Sequence, residues 1–368
     1  MSSDHYYMER AIELAKKGAG FVSPNPMVGA VIVKDGRIIG EGFHEKCGGL
    51  HAERNAIASL TESANGATIY VTLEPCCHYG KTPPCTEAII EQKIAKVVIG
   101  SRDPNPLVAG KGVAQLKKAG IQVEEDFMRQ ECDALNPIFF HYISKRTPYV
   151  AMKYAMTMDG KIATGIGESK WITGEQARKQ VHELRHCYKG IMVGIGTVLK
   201  DDPLLNCRID GGIDPIRIIC DSNMRIPLES QIVNTAKDIP TIVAIKEQVF
   251  TKEMQEKKME LKKRNIEVIP IKEKNGHIDL QELMVILGEK EVDSILLEGG
   301  GILNEGALQQ NIVSKAYVYI APKIFGGENA KTPVSGKGVD YPDEAYKFSL
   351  ENTTLLGSDI LLEYKICQ

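Results

Sequence analysis

The feature that most constrains the fold is a regular alternation of short apolar segments with segments of helical periodicity. The first part of the chain is predicted to form helices over 4–18, 52–62, 86–93, 111–119 and 127–142 and strands over 28–33, 37–42, 68–73, 96–100 and 121–124. An Asp-Gly pair at residues 35 and 36 joins the first two strands, which is a strong signal for a tight hairpin. Alternation of this kind is typical of a layered α/β domain.

The pattern breaks at residues 144–148, and a second α/β series begins at Tyr149. Its predicted strands are 149–156, 191–195, 216–221, 240–245, 266–270, 293–297 and 315–321, with a closing strand in 354–364, and its clearest helices are 174–187, 251–263 and 279–288. A chain of 368 residues is long enough for about two domains. We therefore predict two α/β domains, 1–146 and 147–368.

The charge balance excludes several classes of protein. The chain has 45 basic and 48 acidic side chains, a net charge of −3, which argues against a protein that mainly neutralises nucleic acid or an anionic membrane. Its apolar runs are strand-sized and its N-terminus lacks an apolar signal segment, so we expect a cytoplasmic protein with no membrane partner. Nine cysteines are too few for a disulfide scaffold, whereas the cluster of Cys76, Cys77 and Cys85 suggests metal binding or catalysis.

The spacing of His51, Cys76 and Cys85 suggests a catalytic zinc site. One imidazole and two thiolates suit zinc and leave its fourth position open for water. Glu53, two residues after His51 at a predicted helix start, points away from the metal and is free for proton transfer. Zinc makes hydroxide available near neutral pH for attack on an amino-bearing ring carbon. Two alternatives remain open: Cys77 as the ligand in place of Cys76, and a closed structural site with His78 as fourth ligand.

This spacing departs from the general pattern of zinc nucleobase deaminases, because Cys85 follows Cys76 by nine positions instead of three. However, the segments SPNPMVGAVIV (23–33), HAE (51–53) and PCCHYGKTPPC (75–85) closely resemble the bifunctional riboflavin-biosynthesis family, a pyrimidine deaminase fused to a reductase. The resemblance implies a cytidine-deaminase-like three-layer first domain with one zinc ion per chain. It also implies substrate contacts from Asn25, His78 and Lys81. His44 either joins them or simply ends the hairpin, and residues 103–106 form either a ligand site or a plain turn.

The second domain has no G-x-G-x-x-G fingerprint after its first predicted strand, but it has two other glycine clusters. Gly194-Ile195-Gly196-Thr197 ends one predicted strand, and Glu298-Gly299-Gly300-Gly301 ends another. Glycines let backbone amides approach a phosphate, so the second cluster is either a pyrophosphate site or a flexible turn. Lys153 lies inside an otherwise apolar strand, where it needs a partner such as Asp201 or a functional anion.

Six segments of the second domain match the reductase half of the same family in order, which implies a dihydrofolate-reductase-like fold. They are residues 152–155, 158–161, 169–173, 194–197, 201–203 and 297–301. Together with Lys153, the expected cofactor-binding residues are Ala155, Trp171, Thr197, Asp201, Ser222, Gly300 and Gly301. The expected residues for the reductase substrate are Ser169, Arg185, Leu205, Arg208 and Glu298.

The side-chain chemistry of several of these residues suits the phosphate groups of the expected ligands. The guanidinium groups of Arg185 and Arg208 suit the phosphate of a ribose 5-phosphate tail. Ser222 and Arg225 follow a predicted strand at a place suited to a cofactor 2′-phosphate, which favours NADPH over NADH.

The sequence thus predicts an enzyme for two steps of riboflavin synthesis. Zinc hydroxide would deaminate 2,5-diamino-6-(5-phosphoribosylamino)pyrimidin-4(3H)-one, and NADPH would reduce the ribosyl group of 5-amino-6-(5-phosphoribosylamino)uracil to ribityl. By analogy with the family, we expect a homo-oligomer acting on small molecules and not on nucleic acid. The alternatives are an RNA-base deaminase with an appended binding domain, and a structural zinc module on a nucleotide-sensing domain.

Overall fold

The computed structural model describes residues 3–79, 83–105 and 108–367. The chain divides into two compact units, Met1–Arg146 and Thr147–Gln368. Among the described residues, no helix combines the length and apolar character needed to cross a bilayer.

The first unit is built around a five-stranded sheet. Its elements are α1 (Ser3–Lys16), β1 (Gly29–Lys34), β2 (Arg37–Phe43), α2 (Ala52–Ala58), β3 (Thr68–Leu73), α3 (Cys85–Glu91), β4 (Lys96–Ser101), α4 (Lys111–Lys118), β5 (Gln122–Glu124), α5 (Arg129–Asp133) and α6 (Pro137–Lys145). The strand order is β2-β1-β3-β4-β5, with β1 antiparallel to both neighbours and β3, β4 and β5 parallel.

Alternating strand residues bury the two faces of this sheet in separate cores. Ala30 and Ile32 of β1 pack with residues of α2, α3 and α4, whereas Val31 and Val33 pack with α1 on the opposite face. The result is three layers, with helices on both sides of one sheet.

Close backbone packing fixes α2 against β2. A Cβ atom on Gly42 would lie 2.3 Å from the backbone nitrogen of Ala56, so only glycine permits this approach. The contact brings the first turn of α2, with His51 and Glu53, to one end of the sheet.

The second unit contains a nine-stranded sheet and a separate two-stranded hairpin. Its elements are β6 (Tyr149–Thr157), α7 (Glu175–Cys187), β7 (Gly190–Gly194), α8 (Ile195–Asp201), β8 (Ile216–Cys220), α9 (Gln231–Asn234), β9 (Thr241–Lys246), α10 (Lys252–Lys263), β10 (Ile266–Ile271), β11 (Glu273–Lys274), β12 (His277–Ile278), α11 (Leu280–Glu289), β13 (Ser294–Leu297), α12 (Gly301–Gln309), β14 (Val313–Ala321), a 3-10 helix (Pro342–Glu344), β15 (Phe348–Leu356) and β16 (Asp359–Ile366).

The large sheet has the strand order β10-β9-β8-β7-β13-β6-β14-β16-β15. The first seven strands in this order are parallel, and β16 and β15 add an antiparallel hairpin at one edge. Both faces carry a hydrophobic core. Because the strands from β10 to β14 are parallel, the turns after β7, β8 and β13 lie along the same carboxyl edge, where ligands of open α/β sheets bind.

Two predicted elements are wrong in detail. The helix predicted over 127–142 is two helices, because the chain turns at Asn136 and Pro137 begins α6. The buried Asn136 side chain instead clamps Met27, accepting from its N–H at 2.7 Å and donating to its carbonyl at 2.8 Å. The closing strand predicted within 354–364 is a hairpin, with Gly357 at φ +68° in the turn between β15 and β16.

Candidate active sites

The first unit brings together one imidazole and two thiols. His51 caps the start of α2, Cys76 follows β3, and Cys85 begins α3. The Nδ1 atom of His51 lies 3.4 Å from the Sγ atom of each cysteine, and the three potential ligand atoms lie within 4.8 Å of one another. Tetrahedral zinc with typical bond lengths of about 2.3 Å to sulfur and 2.1 Å to nitrogen separates these atom types by about 3.6 Å. The three residues therefore fit zinc.

The two thiols differ in pKa because they share a hydrogen bond. Hydrogen bonds from Cys85 and His51 lower the pKa of Cys76, and the hydrogen bond between the two thiols raises the pKa of Cys85. The hydrogen bond to Cys76 raises the pKa of His51. Within the described part of the chain, Cys77 and His78 do not belong to this three-atom group. The geometry thus favours Cys76 over its neighbour and a three-residue site over a closed one.

Glu53 lies beside the zinc ligands without joining the group. Its side chain is buried and lines a cavity of about 300 Å³ that also contains His51 and Cys76. Burial raises the pKa of Glu53, and the neighbouring Cys76 raises it further. A carboxyl group with a raised pKa beside a metal site is suited to accept and return a proton.

The predicted substrate contacts Asn25, His44 and His78 all line this cavity, whereas Lys81 lies outside the described residues. Nδ1 of His44 lies 2.9 Å from the Leu50 carbonyl, and its Nε2 lies 3.1 Å from Nδ2 of Asn25. Burial lowers the pKa of His44, so the neutral ring donates to Leu50 and accepts from Asn25. His44 therefore does more than end the hairpin, because it orients the Asn25 amide.

The cavity includes two side chains that the sequence left undecided or missed. Asp103 lines it, and burial raises the pKa of this carboxyl to about 6. One oxygen of Asp103 accepts the N–H of Asn105 at 2.8 Å, so residues 103–105 form a turn that also lines the cavity, whereas residue 106 of the predicted segment lies outside the described residues. Phe139 of α6 lines the cavity as well. The sequence did not indicate this, because it predicted one continuous helix where the chain turns at Asn136 before α6.

The second unit contains a largely buried cluster of one carboxylate and two cations. Glu298 follows β13 and accepts from Nε and Nη2 of Arg185 at 2.8 and 3.1 Å and from Nζ of Lys153 at 3.4 Å. Burial by itself raises the pKa of Glu298, but the charges of Arg185 and Lys153 hold it at about 2. Lys153 therefore has Glu298 as its partner, and not Asp201, which was one of the two partners that the sequence suggested.

The two arginines predicted to bind a phosphate differ in how many hydrogen bonds they make within the protein. Arg185 uses its third nitrogen, Nη1, on the carbonyl of Asn206 at 3.1 Å, so all three of its nitrogens are engaged within the protein. Arg208 donates from Nε to the Asn206 side chain at 3.1 Å, and its terminal nitrogens make no hydrogen bond to another described residue. The binding of a phosphate by these two arginines stays a prediction, since Arg185 keeps two N–H donors and Arg208 keeps four.

The remaining predicted contacts to the reductase substrate occupy separate environments. The Leu205 side chain is buried in the core with φ +54°, so a substrate contact would come from its backbone. Ser169 is half-buried on the segment that leads to Trp171. Sequence reasoning missed His182, one helical turn before Arg185; burial and the charges of Arg185 and Arg208 lower its pKa.

A second cavity, of about 930 Å³, follows the carboxyl edge of the large sheet. Its lining includes five of the predicted cofactor contacts, which are Thr197, Asp201, Ser222, Gly300 and Gly301. The described lining does not include the other three, which are Lys153, Ala155 and Trp171.

Two of these three have other neighbours. Ala155 pairs with Tyr319 of β14, and Trp171 is 63% exposed beneath the Arg178 guanidinium at 4.7 Å. The segment that carries Trp171 therefore stands outside the cavity wall.

Two glycines of the second cavity leave open space beside the backbone. Gly196 and Gly300 both line it, and no atom lies within 4 Å of the point where a Cβ would stand on either residue. Backbone amides there can approach a phosphate closely, and α12 begins at the second glycine cluster.

The chain matches two known families. Residues 1–101 match the cytidine and deoxycytidylate deaminase zinc-binding region, and residues 148–362 match the RibD C-terminal domain. The riboflavin biosynthesis protein RibD of Actinobacillus pleuropneumoniae is 54% identical over 99% of this chain and 96% of its own length.

Solved structures give the same result. Acinetobacter baumannii RibD has a TM-score of 0.88 at 38% identity and covers 100% of this chain and 99% of its own. The Thermotoga maritima diaminohydroxyphosphoribosylaminopyrimidine deaminase/5-amino-6-(5-phosphoribosylamino)uracil reductase has a TM-score of 0.87 at 40% identity, with 99% of both chains covered. These matches confirm the predicted α/β fold class, with a deaminase-type first part and a dihydrofolate-reductase-like second part.

Proposed function

The chain belongs to the RibD family of riboflavin-biosynthesis proteins, and from that premise we propose the substrates of its deaminase and reductase activities. The first unit hydrolyses 2,5-diamino-6-(5-phosphoribosylamino)pyrimidin-4(3H)-one and releases its 2-amino group as ammonia. The second unit reduces the ribosyl group of 5-amino-6-(5-phosphoribosylamino)uracil to ribityl with NADPH. The relative from Thermotoga maritima carries both of these activities in its name.

The observation that carries the proposal is the grouping of His51, Cys76 and Cys85 beside the buried Glu53 in a cavity of about 300 Å³. This volume lies at the small end of ligand pockets and suits a single heterocyclic ring. Zinc bound by the three ligands supplies a water molecule of lowered pKa. His51, Cys76 and Cys85 would hold the ion through three side chains, which is the number of protein ligands in catalytic zinc sites.

In the deamination, the protein's own groups move protons and hold the ring. Glu53 accepts a proton from the attacking water and delivers it to the departing amino nitrogen, so ammonia leaves as a neutral molecule. Asn25, held by the neutral His44 ring, retains one amide N–H and its carbonyl oxygen for the pyrimidine edge. His78 lines the same cavity, and its Nδ1 atom is buried with no partner among the described residues.

In the reduction, NADPH supplies the hydride. Lys153 holds an ammonium group between Glu298 and the Tyr319 ring, 3.4 Å from the carboxylate and 5.7 Å from the ring centroid. Its ammonium has three protons, and those not directed at Glu298 are available to the developing alkoxide of the ribosyl carbon. Arg208 binds the phosphate of the ribose tail with its terminal fork.

The proposal also covers the cellular location and the oligomeric state of the protein. We place the enzyme in the cytoplasm, because two thiolate ligands of an open zinc site persist in a reducing compartment. We also expect a homo-oligomer, because the edge strand β15 exposes Leu350 by 56% and Leu355 by 74% beside unpaired backbone groups. Light scattering of the purified chain tests the second point; a monomer at all concentrations would exclude it.

The decisive assay supplies the diaminopyrimidine phosphate to the purified full chain, with and without NADPH, and identifies products by mass. Without NADPH we expect the deaminated ribosyl product and one ammonia per turnover. With NADPH we expect the ribityl product and one NADP⁺. Unchanged substrate in both arms would overturn the proposal, and deamination without reduction would limit it to the first unit.

A further inference from the structure

The loop of residues 22–28, which we call the Asn25 loop, forms part of the wall of the cavity in the first unit. It leads into β1, and Asn25, Pro26 and Val28 line the cavity. The Asn25 N–H donates to the Val22 carbonyl at 2.8 Å, and the Val28 carbonyl accepts the N–H of His44 at 2.9 Å. The stretch between these two hydrogen bonds belongs to no helix or strand. What holds the chain there therefore sets the place of the Asn25 amide.

Asn136, which is 109 residues away from Met27 in the chain, holds the Asn25 loop at that residue. Its Oδ1 accepts the N–H of Met27 at 2.7 Å, and its Nδ2 donates to the Met27 carbonyl at 2.8 Å. One amide thus pairs with both backbone groups of one residue, as a neighbouring antiparallel strand would. Asn136 is 4% exposed, so water does not readily replace either hydrogen bond.

The place of Asn136 at the start of α6 makes this use of its side chain unusual. An asparagine that precedes the first residue of a helix usually accepts a backbone N–H of the first turn and so caps the helix. The Asn136 side chain makes no such hydrogen bond, and Pro137 follows it at the first position of α6. The helix therefore gains no side-chain cap from this residue, and the side chain serves the Asn25 loop instead.

Asn136 does not belong to the described lining of the cavity, whereas Phe139 in the first turn of α6 does. It can therefore act on a bound ring only through the Asn25 loop. The Asn25 amide is supported from another side by His44, whose Nε2 lies 3.1 Å from its Nδ2. His44 thus orients the Asn25 side chain, and Asn136 fixes the backbone two residues further on, at Met27.

We propose that Asn136 is a positioning residue for deamination, which holds the Asn25 amide against the pyrimidine edge by fixing the backbone of Met27. This inference rests on the deaminase function proposed above. A contact misplaced by about 1 Å can cost on the order of 100-fold in rate. The three zinc ligands belong to other elements, so loss of the clamp should impair substrate positioning and leave the metal in place.

Two substitutions in the full chain test the proposal. Asn136→Asp keeps an acceptor for the Met27 N–H but, as a carboxylate, has no donor for the Met27 carbonyl, and Asn136→Ala removes both hydrogen bonds. With the diaminopyrimidine phosphate as substrate, kcat/KM for deamination should fall by about 10- to 100-fold in both variants. Zinc content should stay at about one ion per chain. Reduction of the already deaminated substrate should be unchanged, because it belongs to the second unit.

A double-mutant cycle with Asn25→Ala separates positioning from a general loss of stability. When the Asn25 amide is absent, Asn136 has no amide left to position. Adding Asn136→Asp to Asn25→Ala should therefore change kcat/KM by no more than about 2-fold, whereas independent effects would multiply.

Leu135→Ala is the matched control. Leu135 precedes Asn136 in the chain and lies in the hydrophobic core against which Met27 packs. Its truncation loosens this core but leaves both hydrogen bonds to Met27 in place. The variant should unfold at a lower urea concentration than the wild type and keep kcat/KM for deamination within about 2-fold.

Each outcome decides one point. Wild-type kcat/KM in both Asn136 variants, multiplied effects in the cycle, or an equal loss in Leu135→Ala would overturn the positioning role. Loss of zinc in both Asn136 variants would also overturn it, because Asn136 would then support the first unit as a whole. If the wild type itself releases no ammonia, the proposed deaminase function fails and the positioning role fails with it. An active wild type with unaffected variants removes the positioning role alone.

Discussion

Arg185 and Glu298 form a bidentate ion pair, with distances of 2.8 and 3.1 Å, between a helix and a turn that are 113 residues apart in the chain. The guanidinium side chain is 13% exposed and the carboxylate 12%. Lys153 shares the same carboxylate. Two cations with one anion leave a positive charge in a partly desolvated site, which suits a substrate that develops negative charge during reduction.

Replacing Glu298 with Gln should destabilise the second unit and abolish reduction. The amide keeps the shape of the side chain but leaves Arg185 and Lys153 without a carboxylate, and removal of one partner from a buried ion pair costs about 3–5 kcal/mol. Urea unfolding measures the loss. Glu62→Gln is the control, because its pair with Arg37 is exposed and worth about 1 kcal/mol or less. Equal losses in the two variants would contradict the burial argument.

The same carboxylate should give the second unit an acid-dependent stability. Its pKa is about 2 in the folded chain, below its value of about 4.3 in an unfolded chain. A depressed carboxyl pKa stabilises the fold fully above the unfolded value, and this contribution is lost as pH falls from about 4.5 towards 2. Urea unfolding between pH 3 and 7 should therefore show a steeper acid loss for the wild type than for Glu298→Gln. Parallel curves would assign the acid sensitivity to other carboxyl groups.

Most strands could be predicted from sequence, because each is a short apolar run between turn signals. The elements that were missed lacked such a signal or carried a misleading one. The two-residue strands β11 and β12 are mainly polar, and only the Asn275-Gly276 turn between them could have indicated a hairpin. Helical periodicity ran through Asn136, whose side chain is instead satisfied by the distant Met27.

The site was predictable to different degrees in the two units. The zinc ligands lie in two short segments, HAE and PCCHYGKTPPC, whose resemblance to the family supported them although the spacing of the cysteines is unusual. The partner of Lys153 could not be read from spacing, because Glu298 reaches it only through the parallel pairing of β6 with β13. The internal partners of Arg185 could not be read from spacing either, since Glu298 and the Asn206 carbonyl are distant from it in sequence.

Cys85→Ser should lose zinc, whereas Cys77→Ser should retain it. Cys85 belongs to the three-atom group with His51, and serine is a poor substitute for a thiolate ligand of zinc. Cys77 is adjacent to Cys76 in sequence but lies outside the group, which makes it a matched control. Elemental analysis should find about one zinc ion per chain in the wild type and in the control. Full occupancy in Cys85→Ser would remove this residue from the ligand set.

Glu53→Gln should retain zinc and lose deamination. The amide preserves the shape of a buried side chain but cannot carry a proton, so ammonia release should fall by about 100-fold or more. Reduction of the already deaminated substrate should stay unchanged in the same preparation, because the reductase residues belong to the other unit. Near-normal ammonia release would reject Glu53 as the proton carrier.

The last prediction concerns the independence of the second unit. Residues 147–368, expressed alone, should fold and oxidise NADPH when given the deaminated substrate. The unit has its own nine-stranded sheet with a core on each face, and the ion cluster and the cofactor cavity lie within it. A domain with its own core can fold without its neighbour.

Circular dichroism and NADPH absorbance measure the two properties separately. Asp201→Asn in this fragment should lower turnover more than stability, because Asp201 lines the cofactor cavity and is only partly buried. An unfolded fragment would contradict the assignment of the domain boundary. A folded fragment without NADPH oxidation would mean that residues 1–146 complete the reductase site, and restored activity on adding that fragment would establish this dependence.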